Sequence, residues 1–135
     1  FYDEDLLRKI LLIEQPRLKR LSEITERADY FFRRPECSAE MLRWKRMTDQ
    51  EVAVALKKSR AWISEISDAD FNAANLEKLF LGNIGAGDKG VILWPLRVAL
   101  TGKKASAGPF EILAILGKTE SGKRIASALE KIQRN

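Results

Sequence analysis

A short loop in the second half of the chain contains residue types that bind phosphates and unstacked bases. Lys103 and Lys104 supply two flexible ammonium groups. They are followed by Ser106, Ala107, Gly108, Pro109 and Phe110. The hydroxyl and the first amides of a new helix can join the lysines in binding phosphate oxygens, while the proline and the aromatic ring can support a splayed base. The alternative is that both lysines are solvated and the Phe110 ring belongs to the core.

A second cluster interleaves an aromatic residue with cations, in the order Arg43-Trp44-Lys45-Arg46. An indole beside cations is typical of surfaces that bind single-stranded RNA. The alternative is a Trp44 ring that is half-buried between short helices. Both interpretations remain open at the level of the sequence.

The excess of positive charge lies in the second half of the chain. The 135 residues contain 24 Lys+Arg and 19 Asp+Glu, for a net charge of +5. Between Lys89 and Asn135, nine basic residues accompany three acidic ones, a local charge of +6. A phosphate-bearing partner is one interpretation of this asymmetry, and an ordinary solvated basic surface is the other.

The available side chains argue against a stand-alone enzyme. The chain has no His and one Cys, Cys37, which excludes His-dependent nucleophile activation, His-ligated zinc and an internal disulfide. Glu111 and Glu120 are interpreted as isolated carboxylates on helices. The only glycine cluster, residues 82–90, lacks the spacing of a phosphate-binding loop and is predicted to be a connection.

Composition indicates one globular domain in the cytoplasm. The hydrophobic fraction of 45% is sufficient for a core. The longest apolar stretch, residues 91–96, is far shorter than the ~20 residues that span a bilayer. A single Cys suits a reducing compartment. Because the chain begins at Phe1 and shows no signal-peptide profile, we expect it to be part of a longer polypeptide.

Apolar residues recur at helical spacing along the whole chain. The clearest helix covers residues 48–66, where Thr48 and Glu51 form a capping box. The other predicted helices cover residues 3–14 and 16–32, a short segment after Ser38, residues 68–81, 95–102 and 109–117, and a last segment around residues 125–132. Alternatively, residues 91–94 form a short strand, which their composition favours. No partner strand with an alternating pattern is found in the sequence, and Pro95 would remove a hydrogen-bond donor from a central strand.

The predicted fold is therefore all-α, with a small N-terminal helical pair followed by a helical bundle. The segment Arg33-Arg34-Pro35-Glu36 is the one plausible boundary. It divides the chain into residues 1–34 and residues 35–135.

Two motifs follow each other between residues 95 and 118. The first reads Pro-Leu-Arg-Val-Ala-Leu-Thr-Gly over residues 95–102, and the second runs from Ser-Ala-Gly-Pro-Phe-Glu at residue 106 to Leu-Gly-Lys at residue 118. This succession resembles the C-terminal anticodon-binding region of bacterial-type glutamyl-tRNA synthetases. That family has Pro-Leu-Arg-x-Ala-Leu-Thr-Gly, a basic loop, and Ser/Thr-Pro-Gly-Leu-Phe-Glu in this order. The resemblance is looser over the helix at residues 17–32.

The resemblance implies a two-part anticodon-binding helical cage for tRNA(Glu), and leaves open whether tRNA(Gln) is also accepted. The parent would be a class I ligase that attaches glutamate to tRNA, with ATP and Mg²⁺ bound in an N-terminal catalytic domain of the same polypeptide. The motifs of that catalytic domain are missing here. This part is therefore expected to be inactive alone, to hold no cofactor or metal, to contact no membrane and to be a monomer.

The resemblance also assigns residues to the anticodon. Arg97 matches the anticodon-contacting Arg of the first motif, and residues 106–110 match the loop for the first anticodon base. Arg17 falls where some members place an Arg that favours C at the third base, with Arg20 as the second choice. Ala107 and Pro109 stand where the family has Pro and Leu, so we expect an altered preference at the first base.

A different class of function stays open on composition alone. A basic all-helical module could bind an acidic protein partner, or RNA in general. The two motifs between residues 95 and 118 separate these interpretations, because an unrelated helical module has little reason to contain them.

Overall fold

The computed structural model describes residues 4–14, residue 31 and residues 34–134, and the regular structure within them is helical. The elements are α1 (Glu4–Glu14), α2 (Ala39–Leu42), α3 (Asp49–Glu65), a 3-10 turn (Asp68–Asp70), α4 (Ala73–Ile84), α5 (Gly90–Thr101) and α6 (Pro109–Gln133). The predicted all-α class is confirmed. Arg17, Arg20 and most of the predicted helix over residues 16–32 lie outside the described residues.

Helix α3 packs against α4, α5 and α6. Its start is the predicted capping box: the Glu51 amide donates to the Thr48 hydroxyl at 3.1 Å, and the Thr48 amide donates to the Glu51 carboxylate at 3.2 Å. One face of the helix is buried against its neighbours, through Val52, Ala55, Leu56, Ser59 and Ile63. The apolar spacing therefore predicted both the helix and its buried face.

Helix α5 begins earlier than the sequence suggested. The prediction placed its start at Pro95, but the helix starts at Gly90 and contains Pro95, while its end before Gly102 is as predicted. Asp88 sets the start, because its carboxylate accepts the Gly90 amide hydrogen at 2.9 Å. Because Pro95 has no amide hydrogen to donate to the Val91 carbonyl, α5 lacks one backbone hydrogen bond near its start.

The segment after α3 also differs in detail from the prediction. Residues 68–70 form a 3-10 turn, and α4 starts only after Asn72, whose side-chain oxygen accepts from the Asn75 amide at 2.9 Å. The helix then continues through Gly82 and ends at Gly85, which has a φ of 69°. The connecting loop is therefore shorter than the glycine cluster from which it was predicted.

Helix α6 has Pro109 at its start and is interrupted at Gly117, where φ is 84°. The predicted helix end at Gly117 is thus a break, after which the chain continues directly as a helix. Lys118, next to the break, donates to the Ile66 carbonyl at 2.7 Å. This ammonium group satisfies a backbone acceptor at the C-terminal end of α3.

The N-terminal elements contribute to the same cluster of buried side chains as the bundle. Leu6 and Ile10 of α1 and Phe31 are buried in it. The division between residues 34 and 35 stays a prediction. No helix within the described ranges is long and apolar enough to cross a membrane.

Candidate nucleic-acid interface

A pocket of about 310 Å³ lies where one side of α5, from Gly90 to Arg97, meets the first turn of α6. We name it the Arg97 pocket. It is lined by Trp44, Gly90, Leu93, Trp94, Arg97, Pro109 and Phe110. The structure thus brings Arg97 of the first motif to the same cavity as two residues of the second. A guanidinium fork beside aromatic and apolar surfaces can bond a base edge and support the base plane.

Phe110 takes part in both the core and the pocket. Its ring packs edge-on against Phe80 with centroids 5.7 Å apart, and Phe80 packs against Trp62 in the same way at 5.2 Å. The ring is only partly buried, and it lines the Arg97 pocket. The two interpretations of Phe110 are therefore compatible, because the core fixes the ring that the pocket presents.

The loop that follows α5 leaves the helix in a fixed direction. Gly102 ends the helix with a φ of 69°, and its amide donates to the Val98 carbonyl at 2.7 Å. A Cβ at this position would come within 2.7 Å of the Pro35 ring, so glycine is required by both conformation and space. The Lys103 amide donates to the Thr101 hydroxyl at 3.0 Å. Lys104 then lies exposed on the surface.

Residues 106–108, the rest of this loop, are less available for contacts with a ligand than the sequence suggested. The Ser106 hydroxyl donates to the Ala107 carbonyl at 2.9 Å, and the Ala107 side chain is buried. Gly108 precedes α6 without a side-chain cap, which leaves the first amides for a ligand. Glu111, however, adds a carboxylate in the first turn. That negative charge works against a phosphate there, so the lysines are the better-placed phosphate ligands.

A second and larger pocket, of about 670 Å³, adjoins the first. We name it the Lys104 pocket. It is lined by Ser38, Glu40, Met41, Arg43, Lys45, Trp94 and Lys104. Trp94 lines both cavities. The cluster at residues 43–46, whose role was left open by the sequence, therefore lies directly beside the motif that carries Arg97.

Trp44 is held in place from several sides. Asp88 accepts hydrogen bonds from its indole Nε1 and from the Lys45 ammonium, each at 3.1 Å. These two hydrogen bonds lower the pKa of Asp88 below its usual value. A Cβ on Gly90 would come within 2.3 Å of the Trp44 ring, so the indole rests directly on the backbone of α5. Lys45 has a φ of 54°, which is rarely adopted by non-glycine residues.

Trp94 was not singled out by the sequence argument. Its indole Nε1 donates to the Met41 carbonyl at 2.9 Å, which ties α5 to α2. The signal that could have found it is its position three residues before Arg97. Residues at this spacing share a helix face, so an aromatic ring there accompanies the guanidinium.

The interpretation of Glu120 as an isolated carboxylate was wrong. Arg34 donates to it through Nε and Nη2, both at 3.0 Å, and Arg124 donates through Nε at 2.9 Å. The hydrogen bonds from Arg34, followed by those from Arg124, lower the Glu120 pKa to about 2. The buried Arg124 also donates to the Leu100 carbonyl at 2.7 Å. Glu120 therefore stabilises the end of α5 and offers no acid–base chemistry.

The hydrogen bonds around Glu120, and the one from Lys118 to the C-terminal end of α3, also change the interpretation of the positive charge between residues 89 and 135. Lys118 and Arg124, which belong to the nine C-terminal cations, donate hydrogen bonds to backbone carbonyls of the bundle. The cations that border the two pockets come from both halves of the chain, since Arg43 and Lys45 join Arg97 and Lys104. The basic surface is thus assembled by the fold, and the C-terminal charge excess describes only part of it.

Comparison with known proteins identifies similar chains. A family model described as an anticodon binding domain matches residues 1–129. The glutamate–tRNA ligase of Clostridium acetobutylicum is 38% identical over 132 residues, and that of Clostridium kluyveri is 37% identical over 130 residues. These alignments cover 95% and 93% of this chain but 27% and 26% of the two ligases. The chain therefore spans about a quarter of the length of these relatives.

Solved structures show the same fold. A glutamate tRNA ligase from Elizabethkingia meningosepticum, in complex with its amino acid, matches 98% of this chain with a TM-score of 0.80 and 23% identity. A glutamate-tRNA synthetase from Elizabethkingia anophelis matches 96% with a TM-score of 0.76 and 21% identity. The matched regions are 26% and 25% of those chains, and at such identities the likeness concerns the fold alone.

Proposed function

Because the chain belongs to the anticodon-binding domain family, we propose that it recognises the anticodon of tRNA(Glu) as the C-terminal part of a class I glutamyl-tRNA synthetase. The observation that carries this proposal is the Arg97 pocket. It places a guanidinium, an indole and a phenyl ring around a space that can take one unstacked base. The composition of the chain does not predict this grouping of side chains around one pocket.

Anticodon bases are unpaired in the free tRNA loop, so they can be splayed out and read on their Watson–Crick edges. In the proposed complex, Arg97 bonds a base edge, and Phe110 and Trp94 support the base plane. Lys103 and Lys104 bind phosphates of the same loop and contribute affinity without sequence preference. Affinity and discrimination therefore come from different side chains.

The finer assignments follow the motif positions. Residues 106–110 bind the first anticodon base, with a preference altered by Ala107 and Pro109. Arg17, which lies outside the described residues, favours C at the third base, and Arg20 is the second choice. The assignment of residues 106–110 is supported by the order and spacing of the two motifs, and that of Arg17 by the looser resemblance over residues 17–32.

The parent enzyme would carry its chemistry elsewhere. The names of the similar ligases support a parent that joins glutamate to tRNA. The family resemblance adds that an N-terminal catalytic domain would activate glutamate with ATP and Mg²⁺ and charge the 3′ end of the tRNA. This chain would act as a monomeric tRNA-binding part of that polypeptide in the cytoplasm, and would not form Glu-tRNA alone.

The proposal is tested by titrating the chain with tRNA(Glu), tRNA(Gln) and a tRNA with an unrelated anticodon, at one fixed salt concentration. Tightest binding to tRNA(Glu) supports anticodon reading by a discriminating parent. Equal binding of the first two over the third supports a parent that also accepts tRNA(Gln). Equal binding of all three would contradict the proposal and leave a general basic module.

A further inference from the structure

The carboxylate of Asp88 joins groups from two distant segments of the chain. Its Oδ2 accepts hydrogen bonds from the Trp44 indole and the Lys45 ammonium, each at 3.1 Å, and its Oδ1 accepts the Gly90 amide hydrogen at 2.9 Å. Trp44 and Lys45 precede Asp88 by 44 and 43 residues. The carboxylate therefore ties the turn after α2 to the first turn of α5.

Trp44 needs such a contact because no helix holds it. It lies two residues beyond the end of α2, and the next residue, Lys45, has a φ of 54°. The Gly90 backbone and the Trp94 ring pack against the indole. Packing alone allows an aromatic ring to slide or turn, whereas a directional bond from Nε1 to a carboxylate fixes that edge of the ring.

The position of the Trp44 ring sets the shape of the Arg97 pocket, because Trp44 lines this pocket together with Trp94. Asp88 does not line the pocket, so its influence on a bound base would pass through Trp44. We propose that Asp88 is a positioning residue for base recognition, which holds the Trp44 indole as a wall of the Arg97 pocket. This inference rests on the proposed function, because it presupposes that the pocket takes a base.

The opposite role for Asp88 would be to mask a positive charge. It pairs with Lys45, and a mask would keep this ammonium away from RNA phosphates. The exposed fractions of the two side chains, 66% for Lys45 and 44% for Asp88, favour positioning, because water and salt screen such a surface pair. The other two donors to Asp88, an indole and a backbone amide, are uncharged. The two roles predict opposite signs when the charge of Asp88 is removed.

The test measures binding of tRNA(Glu) to the 135-residue chain and to Asp88→Asn. Asparagine has the same size but offers one acceptor oxygen to three donors. The substitution raises the net charge by one, which alone would strengthen RNA binding. We expect instead that it weakens binding by about three- to tenfold, as a displaced stacking wall should, and that the loss persists at high salt. Asp68→Asn, the same change at an exposed residue of the 3-10 turn, should not weaken binding.

Trp44→Phe separates the path through the indole from a general effect on the fold. Phenylalanine keeps an aromatic ring but lacks the N–H group that bonds Asp88. In this background, Asp88→Asn should weaken binding by less than about twofold further, since the bond is already absent. Unfolding titrations show which variants are folded under the conditions of the assay. Trp44→Phe alone keeps the test decisive if Asp88→Asn does not fold, because unchanged binding by this variant would overturn the proposal.

Two other results would also overturn the proposal. Tighter binding by Asp88→Asn than by Asp68→Asn would assign to Asp88 the masking of Lys45. An equal loss from Asp88→Asn with and without the Trp44 indole would show that Asp88 acts through the start of α5. Neither result affects the proposed function, which fails only if the unaltered chain binds tRNA(Glu) no more tightly than the same tRNA with an unrelated anticodon.

Discussion

The indole rings of Trp44 and Trp94 lie with their centroids 5.2 Å apart and their planes tilted by 38°. Trp94 belongs to the helix that carries Arg97, whereas Trp44 belongs to the turn after α2. Their contact holds that turn against α5 and places the Arg97 and Lys104 pockets side by side. The candidate RNA surface therefore depends on packing between distant segments as well as on the motif itself.

Gly90→Ala should disrupt this packing. The added methyl group would meet the Trp44 ring at 2.3 Å, and Asp88 and Trp94 hold that ring in place. We expect a loss of about 1–3 kcal/mol in the free energy of unfolding, with a shift in tryptophan fluorescence and weaker RNA binding. Denaturant titration and fluorescence spectra measure both effects.

Gly82→Ala is the matched control for this change. Gly82 is also a helical glycine, but a Cβ there has no atom within 4 Å. Alanine should therefore stabilise the fold by about 0.5–1 kcal/mol through its helix propensity and leave RNA binding unchanged. A similar effect of both substitutions would contradict the close contact of Trp44 with α5.

Glu120 should make stability depend on pH in the acid range. Its pKa is lowered from 4.5 to about 2 in the folded state, so the unfolded chain takes up the proton first as the pH falls. The stabilisation is complete above about pH 5 and is lost as the pH falls toward 2. Because Arg34 is 57% exposed, we expect a contribution of about 2 kcal/mol rather than the full value that the shift implies.

The measurement is the free energy of unfolding of the unaltered chain and of Glu120→Gln between pH 7 and pH 2. The two should differ at pH 7 and converge near pH 2. Glu130→Gln removes a carboxylate that is 63% exposed and paired with Arg134, so it should follow the unaltered chain. Parallel curves for Glu120→Gln and the unaltered chain would show that the Arg34 and Arg124 bonds do not depend on the charge.

Lys118→Met should destabilise the bundle without changing RNA discrimination. It removes the ammonium that bonds the Ile66 carbonyl at the end of α3, which we expect to cost about 1–2 kcal/mol. Lys123→Met, at an exposed position of the same helix, removes the same charge and should have little effect. Thermal unfolding of the two variants decides the point, and equal melting temperatures would refute the capping role of Lys118.

Local sequence signals predicted most of the helices. The Thr48 capping box, the end of α5 at Gly102 and the start of α6 at Pro109 all follow from rules that act within a few residues. The start of α5 was missed because Asp88, whose carboxylate accepts the Gly90 amide hydrogen, lies in a stretch that composition favours as loop, and Pro95 is an equally good first-turn residue.

The candidate site was predictable only in part. Arg97 and residues 109–110 could be found because they belong to two motifs that follow each other within residues 95–118. Trp44 and Lys45 reach the candidate site because of their contacts with Gly90 and Asp88, more than 40 residues further along the chain. Glu120 likewise bonds Arg34, which is 86 residues away. No spacing rule connects such distant residues, since their contacts are decided by how the helices pack.

The central claim, that Arg97 reads the anticodon, is tested most directly by comparing Arg97→Ala with Lys103→Ala. Both are assayed at fixed salt against tRNA(Glu) and the same tRNA with an unrelated anticodon. We predict that Arg97→Ala costs about 1–3 kcal/mol of discrimination between the two, whereas Lys103→Ala weakens both nearly equally and lowers the dependence on salt. Equal losses for both tRNAs in the Arg97 variant would contradict the account.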